Sequence, residues 1–274
     1  MEYTRMNGLK ASDYMYPGED LAFTELNSFP LVDKVIGEII ALSTNTNALP
    51  ETQADMYRVT EKSCPKVYEL FQTAKTRLDI KKEIPLFIKP DFDFNACAYG
   101  GESPFIIIHS SFIKNASDDD LLFILGHELG HIKGNHSVYG YLTAQTISCL
   151  AQVPVVGPML SDGLMIAMYE WKRRQEYSAD RAGAIAAGGP EKALLALKTL
   201  LGLHEKVKGV NVTIEDLLAQ HDAYMDETKN WVSKAVLFSS IIFSSHPWTV
   251  KRICEMNKWK ESGEFEALAA RLAE

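Results

Sequence analysis

Gly126-His127-Glu128-Leu129-Gly130-His131 (GHELGH) is the stretch from which the rest of the chain is read. It falls in the middle of a predicted helix. Ser117-Asp118-Asp119-Asp120 opens that helix as a capping box in its aspartate variant, and Gly134 supplies the stop. At 3.6 residues per turn His127 and His131 lie one turn apart on one face, so both imidazoles can reach a single zinc at about 2.0–2.1 Å. Glu128 is rotated by one residue, beside the metal, where it can hold the attacking water and take its proton. The helix is otherwise apolar (Leu121, Leu122, Phe123, Ile124, Leu125, Leu129, Ile132), a context in which unpaired charge is costly. Gly126 and Gly130 each cost about 1 kcal/mol relative to Ala in a helix interior, which points to another backbone or a ligand approaching there.

A catalytic zinc takes three protein ligands and keeps one position open. A second long helical pattern, from about Gly163 to Ala187, carries Glu176 and Asp180 at i and i+4, projecting from one face. Glu176 is the expected third ligand. Asp180 is the expected carboxylate that receives the free N–H of a ligand histidine and fixes its tautomer. Taken alone, this pair would read as a face salt-bridged to Arg173, Arg174 and Arg181; the HExxH turn reverses that preference. A di-iron carboxylate site would need a second ExxH, and the chain has none. His109, His136, His204 and His221 have no ligand spacing and are expected to be ordinary surface or satisfied polar residues.

Working outward, Pro65 to Leu78 predicts an amphipathic helix with Pro in its first turn. Three β segments follow at Pro85–Lys89, Phe94–Tyr99 and Phe105–His109, with Gly100-Gly101 between the last two as a hairpin turn. Further helices are expected at Glu191–Leu203, Ile214–Lys234, Pro247–Lys260 and Glu264–Ala273. Before position 60, helical patterns run around Leu21–Leu26 and Leu31–Leu42, and Thr44–Thr52 is rich in turn formers. The fold class is therefore α+β and mostly helical with a small three-stranded sheet. Residues 1–60 form an N-terminal helical region and residues 61–274 the metal-bearing domain. Lying outside that domain, residues 1–60 are candidates for a regulatory cover over the cleft.

The chain has 274 residues, 46% of them apolar, enough for a substantial core. Its 36 acidic against 28 basic residues leave a net charge of −8, which excludes the basic footprint of a nucleic-acid partner. Cys64, Cys97, Cys149 and Cys254 lie far apart without CxxC spacing, as unpaired thiols of a reducing compartment do. With no apolar leader in MEYTRMNGLK, a cytoplasmic location is expected. Residues 137–161 carry no charge, but only 33 residues separate His136 from Glu170. A single crossing would put the ligands on opposite sides of a bilayer, and two would need about 40 apolar residues. No transmembrane span is expected, which leaves peripheral membrane contact through residues 137–169.

The ordered set HELGH, EYSADRAG (Glu176–Gly183) and Ser245-His246-Pro247-Trp-Thr-Val-Lys-Arg252-Ile253 resembles the gluzincin metallopeptidases that include HtpX and the CAAX prenyl endopeptidases, over roughly residues 65 to 260. Asn95-Ala-Cys-Ala-Tyr-Gly100 is similar to that family's edge strand before the zinc helix. The resemblance implies a zincin-like fold, one Zn2+ per chain and a peptide or unfolded-protein substrate. It also implies that Asn95 and His246 help bind the substrate carbonyl. The membrane members carry transmembrane helices between the HExxH and glutamate motifs; this chain is similar instead to the soluble bacterial branch. The function expected is zinc-dependent endoproteolysis. An inactive, zinc-binding homologue acting as a chaperone or interaction module is the alternative, which loss of Glu128 or of a ligand would signal; none is lost.

Overall fold

The computed structural model of the protein describes residues 3–20, 54–99, 103–136, 162–203, 209–227 and 248–273. The helical patterns expected at Leu21–Leu26 and Leu31–Leu42, the turn-rich Thr44–Thr52, the uncharged residues 137–161, and Cys149, His204 and His246 lie outside the described residues.

Four strands form one mixed sheet in the order β1-β2-β4-β3: β1 Tyr57–Arg58, β2 Leu86–Lys89, β3 Ala96–Tyr99 and β4 Phe105–His109. The expected three-stranded sheet is corrected to four. Two residues long and exposed on both side chains, β1 has neither the length nor the alternation that marks a strand in sequence. It pairs antiparallel with β2, which runs parallel to β4, and β4 pairs antiparallel with β3 in the expected hairpin. β4 is buried at every position, which is why FIIIH is apolar up to its last residue, His109. Ile106 and Ile108 face the helices, and Phe105 and Ile107 join Phe87 in a smaller cluster on the other face. Among the described residues β3 pairs with β4 alone, so its outer edge is a sheet edge.

The helices are α1 Pro65–Arg77, α2 Ser110–Asn115, α3 Asp118–Lys133, α4 Asp162–Ala187, α5 Pro190–Leu200, α6 Ile214–Glu227, α7 Thr249–Ser262 and α8 Glu264–Leu272. Ser117 caps α3 as read: its hydroxyl accepts from Asp120 N, and Asp120 Oδ2 accepts from Ser117 N at 2.9 Å. That box and three first-turn aspartates fix where α3 starts, and so which residues of GHELGH share a face. The helix ends at Gly134 as expected. Gly134 has φ −81°, and the residue that reverses the chain is Asn135 at φ +58°.

The central event in the core is the crossing of α3 over α4. A Cβ at Gly130 would lie 2.5 Å from Ala182 Cβ, and one at Gly126 would collide with Ala186 Cβ. Ala179, Ala182, Gly183 and Ala186 present the matching small surface on α4, so the two backbones meet directly. The unfavourable glycines of α3 are thereby accounted for by another backbone. Residues on both sides of position 60 contribute to the same core, with Tyr3, Met6, Leu9 and Tyr14 packed alongside Phe71, Leu125 and Ile185. No helix among the described residues is long and apolar enough to cross a membrane. Cys64, Cys97 and Cys254 are free thiols.

Candidate metal centre

Close crossing at the glycines brings the α4 face bearing Glu176 and Asp180 against His127 and His131. One nitrogen or oxygen from each of His127, His131 and Glu176 falls within 4.8 Å of the others, in a group able to hold a metal ion. The two imidazole Nε2 atoms are 3.0 Å apart, and each is 3.6 Å from an oxygen of Glu176. Donor atoms held about 2.0–2.1 Å from one tetrahedral ion are about 3.4 Å from each other, so this set fits such an ion. Glu176 is buried at 3% exposure, where an ionised carboxylate needs a compensating cation.

Behind His127 stands the carboxylate the sequence pointed to. Nδ1 of His127 lies 3.0 Å from Asp180 Oδ1. That contact commits Nδ1 as the N–H and leaves the Nε2 lone pair for a metal. Asp180 is held in turn by Arg252 of α7, whose Nε donates to Oδ2 at 2.8 Å and whose Nη2 donates to Oδ1 at 2.5 Å. All three groups are buried. Burial alone would push the Asp180 carboxyl up, but the Arg252 guanidinium outweighs it and holds the pKa below the usual range. Burial also pushes His127 down; hydrogen bonds to Asp180 and Glu176 reverse that and carry it to about 9. The alternative partners weighed for this face go elsewhere: Arg173 and Arg174 pair with Glu170, and Arg181 with Glu264.

Glu128 is buried at 6% exposure. Burial pushes the Cys97 thiol up to about 12, and the negative charge of Glu128 adds to the shift, which locates that carboxylate near the edge strand β3. Asn95, just before β3, is exposed; its side-chain oxygen accepts from Ala96 N at 2.9 Å and its carbonyl from His109 N at 3.0 Å. The structure therefore brings together His127, His131, Glu176 and Asp180, and sets Asn95 at the entry to the edge strand.

Two residues close to this centre were missed. Arg252 occurs in the quoted HPWTVKR stretch, but its role shows only when α7 packs against α4; a lone arginine in register with buried Ile253 and Met256 was the available signal. His136 is the second: of the two expectations, surface or satisfied polar residue, it meets the latter, beside a candidate ligand. It is 4% exposed, with Nδ1 3.2 Å from Nδ1 of His131. His109 is likewise a satisfied buried histidine, its Nδ1 3.2 Å from the Asp93 carbonyl.

A pair of histidines one helical turn apart, with a glutamate from a second helix and a glutamate beside them, defines the HExxH class of metallopeptidases. Residues 65–260 match the profile of Peptidase family M48, and the chain belongs to that family. It is similar to the plastoglobule-localized metallopeptidase 48 of the Arabidopsis thaliana chloroplast, with 26% identity over 96% of this chain and 76% of that protein. Protease HtpX homologues are similar as well. The one from Paraburkholderia phytofirmans is 25% identical over 76% of this chain and 79% of its own length, and that from Gemmatimonas aurantiaca 26% identical over 72% and 77%. No solved structure matches. The chain is thus a metal-dependent hydrolase of peptide bonds, and nothing favours the inactive alternative.

Proposed function

We propose that the protein is a zinc endopeptidase, with one Zn2+ per chain held by His127, His131 and Glu176. The observation that carries this reading is the facing pair of Nε2 atoms 3.0 Å apart with Glu176 oxygens 3.6 Å from each. Two imidazoles and one carboxylate are a common donor set of catalytic zinc, while Mg2+ and Ca2+ prefer oxygen. Bound there, zinc supplies Lewis-acid polarisation of the scissile carbonyl. Glu128 takes the proton of the attacking water and delivers it to the leaving amine. Asp180 holds His127 in the tautomer that keeps Nε2 unprotonated. A peptide or unfolded segment adds to the outer edge of β3 as an extended strand, main chain to main chain. Asn95, at the start of that edge, and His246 donate to the oxyanion that develops on the substrate carbonyl.

The same proposal has the protein soluble and cytoplasmic, with residues 137–169 as a site of peripheral membrane contact. Residues 61–274 are assigned the peptidase domain, to which residues 3–20 contribute core side chains, and the rest of residues 1–60 a regulatory part. Glu128→Ala tests the mechanism. It is expected to keep full metal content and the wild-type fold while abolishing cleavage of a casein-type substrate, because a base is lost and a ligand is not. Turnover by the metal-replete variant would overturn the role of Glu128. His246→Ala is expected to lower kcat about 10²–10³-fold at unchanged metal content.

A further inference from the structure

We infer that the N-terminal segment completes the metal centre: Glu19 and His136 form a relay that fixes the tautomer and direction of His131, as Asp180 and Arg252 do for His127. The inference rests on the metal site proposed above. His136 Nε2 is 3.0 Å from Glu19 Oε1, and its Nδ1 is 3.2 Å from Nδ1 of His131. Glu19 and His136 are 5% and 4% exposed, so neither contact is diluted by water.

Only one proton arrangement satisfies every pair in the neutral rings. If Nε2 of His131 gives its lone pair to a metal, Nδ1 must carry the hydrogen and donate to Nδ1 of His136. His136 then carries its own hydrogen on Nε2 and donates it to the Glu19 carboxylate. The chain of donors ends on the one group that only accepts. Ser178 Oγ donates to the other Glu19 oxygen, and the same hydroxyl accepts from Tyr16 N at 2.8 Å.

The chain is built to hold this arrangement from two directions. On the His136 side, Asn135 at φ +58° turns the backbone back, and Gly134 leaves the room the returning ring occupies; a Cβ there would lie 2.8 Å from two of its carbons. On the Glu19 side, the stretch from Met15 to Glu19 is fastened along α4. Arg174 Nη1 donates to the Pro17 carbonyl at 3.3 Å, Ser178 takes Tyr16 N, and Arg181 Nη1 donates to the Met15 carbonyl at 3.2 Å. Positions 174, 178 and 181 are i, i+4 and i+7 and share one helix face, a different one from that of Glu176 and Asp180. One helix therefore offers a ligand to the metal and holds the segment that steadies the other ligand. Glu19 and His136 are positioning residues and touch no substrate.

The test uses the full-length chain, loaded with Co2+ or Zn2+ alone, and reads affinity by chelator competition and the visible absorption of the Co2+ form. Glu19→Ala and His136→Ala are expected to weaken binding about 10- to 100-fold and to change the Co2+ spectrum. Glu19→Gln keeps size and an acceptor without the charge, and is expected to fall between wild type and Glu19→Ala. Should Glu19→Ala not fold, Glu19→Gln carries the test with a several-fold weakening. Tyr16→Phe loosens the same segment without touching the relay, and is expected to lower the melting temperature at unchanged affinity and spectrum. Wild-type affinity and spectrum in folded Glu19→Gln and His136→Ala would overturn the relay, as would a Tyr16→Phe spectrum altered to the same degree. Failure of the wild-type chain itself to bind either ion would instead overturn the metal reading.

Discussion

His127 and His131 sit one turn apart on the same helix and are backed from opposite ends of the chain. Behind His127 the support is ionic and buried, with Asp180 of α4 clamped by both Nε and Nη2 of Arg252. Behind His131 it passes through a second imidazole to Glu19, near the chain's beginning. The first arrangement combines a charged network with the helix packing, so it bears on folding and on the metal alike. The second hangs on a segment fastened along α4, and its effect should fall mainly on the metal. The two are tied by Tyr16, whose hydroxyl donates to Glu255 of α7 at 2.8 Å, one turn from Arg252.

The largest expected difference follows from this contrast. Asp180→Ala leaves the Arg252 guanidinium buried without its carboxylate, which typically costs about 3–5 kcal/mol. Chemical denaturation of the metal-free protein should report a loss of that order, while His136→Ala should lose far less and show its effect in metal affinity. Equal stability losses from the two variants would break the comparison. Next in size is Gly126→Ala. Helix propensity favours it by about 1 kcal/mol, but overpacking against Ala186 typically costs about 1–3 kcal/mol, so net destabilisation is expected. The metal should weaken with it because α4 carries Glu176. Ala186→Gly in the same chain should restore both, and a Gly126→Ala protein more stable than wild type would show that the helices do not meet there.

Gly134→Ala sharpens the comparison at the other histidine. Its φ of −81° suits alanine, so the backbone is not strained and only the His136 ring is displaced. Metal affinity should fall while the melting temperature of the metal-free protein stays near wild type. The smallest effect is acid sensitivity at the tie between the two ends. Burial would raise the Glu255 carboxyl, but Lys251, Lys258 and Tyr16 outweigh it and lower its pKa from 4.5 to about 2. A depressed carboxylate contributes stability that is complete above its unfolded value and disappears as pH falls through its folded one. Stability due to Glu255 should therefore be lost between about pH 4.5 and 2, and Glu255→Gln should flatten that part of the pH–stability curve.

What the sequence could show divides along the same line. Ser117 with Asp120, the two histidines and the Glu176/Asp180 pair are each separated by three or four residues, distances that helix geometry turns directly into a shared face. The small residues of α3 likewise announced a close neighbour. Arg252, His136 and Glu19 could not be read in this way. Arg252 meets Asp180 from 72 residues away, and His136 reaches His131 only because Asn135 adopts a left-handed conformation. Glu19 lies in a stretch without motif or periodicity, and its place depends on three side chains of α4 binding main-chain atoms. Strand β1 escaped for a related reason, since it is two residues long with both side chains exposed and leaves no apolar alternation.

The central claim is that the metal is held by His127, His131 and Glu176, with His136 standing behind His131 and not on the metal. X-ray absorption at the zinc edge of the purified full-length protein tests it most directly. Two imidazole nitrogens and light oxygen donors at about 2.0–2.2 Å are expected. A third imidazole would place His136 on the metal and contradict the relay, and a sulfur at about 2.3 Å would contradict the ligand set itself.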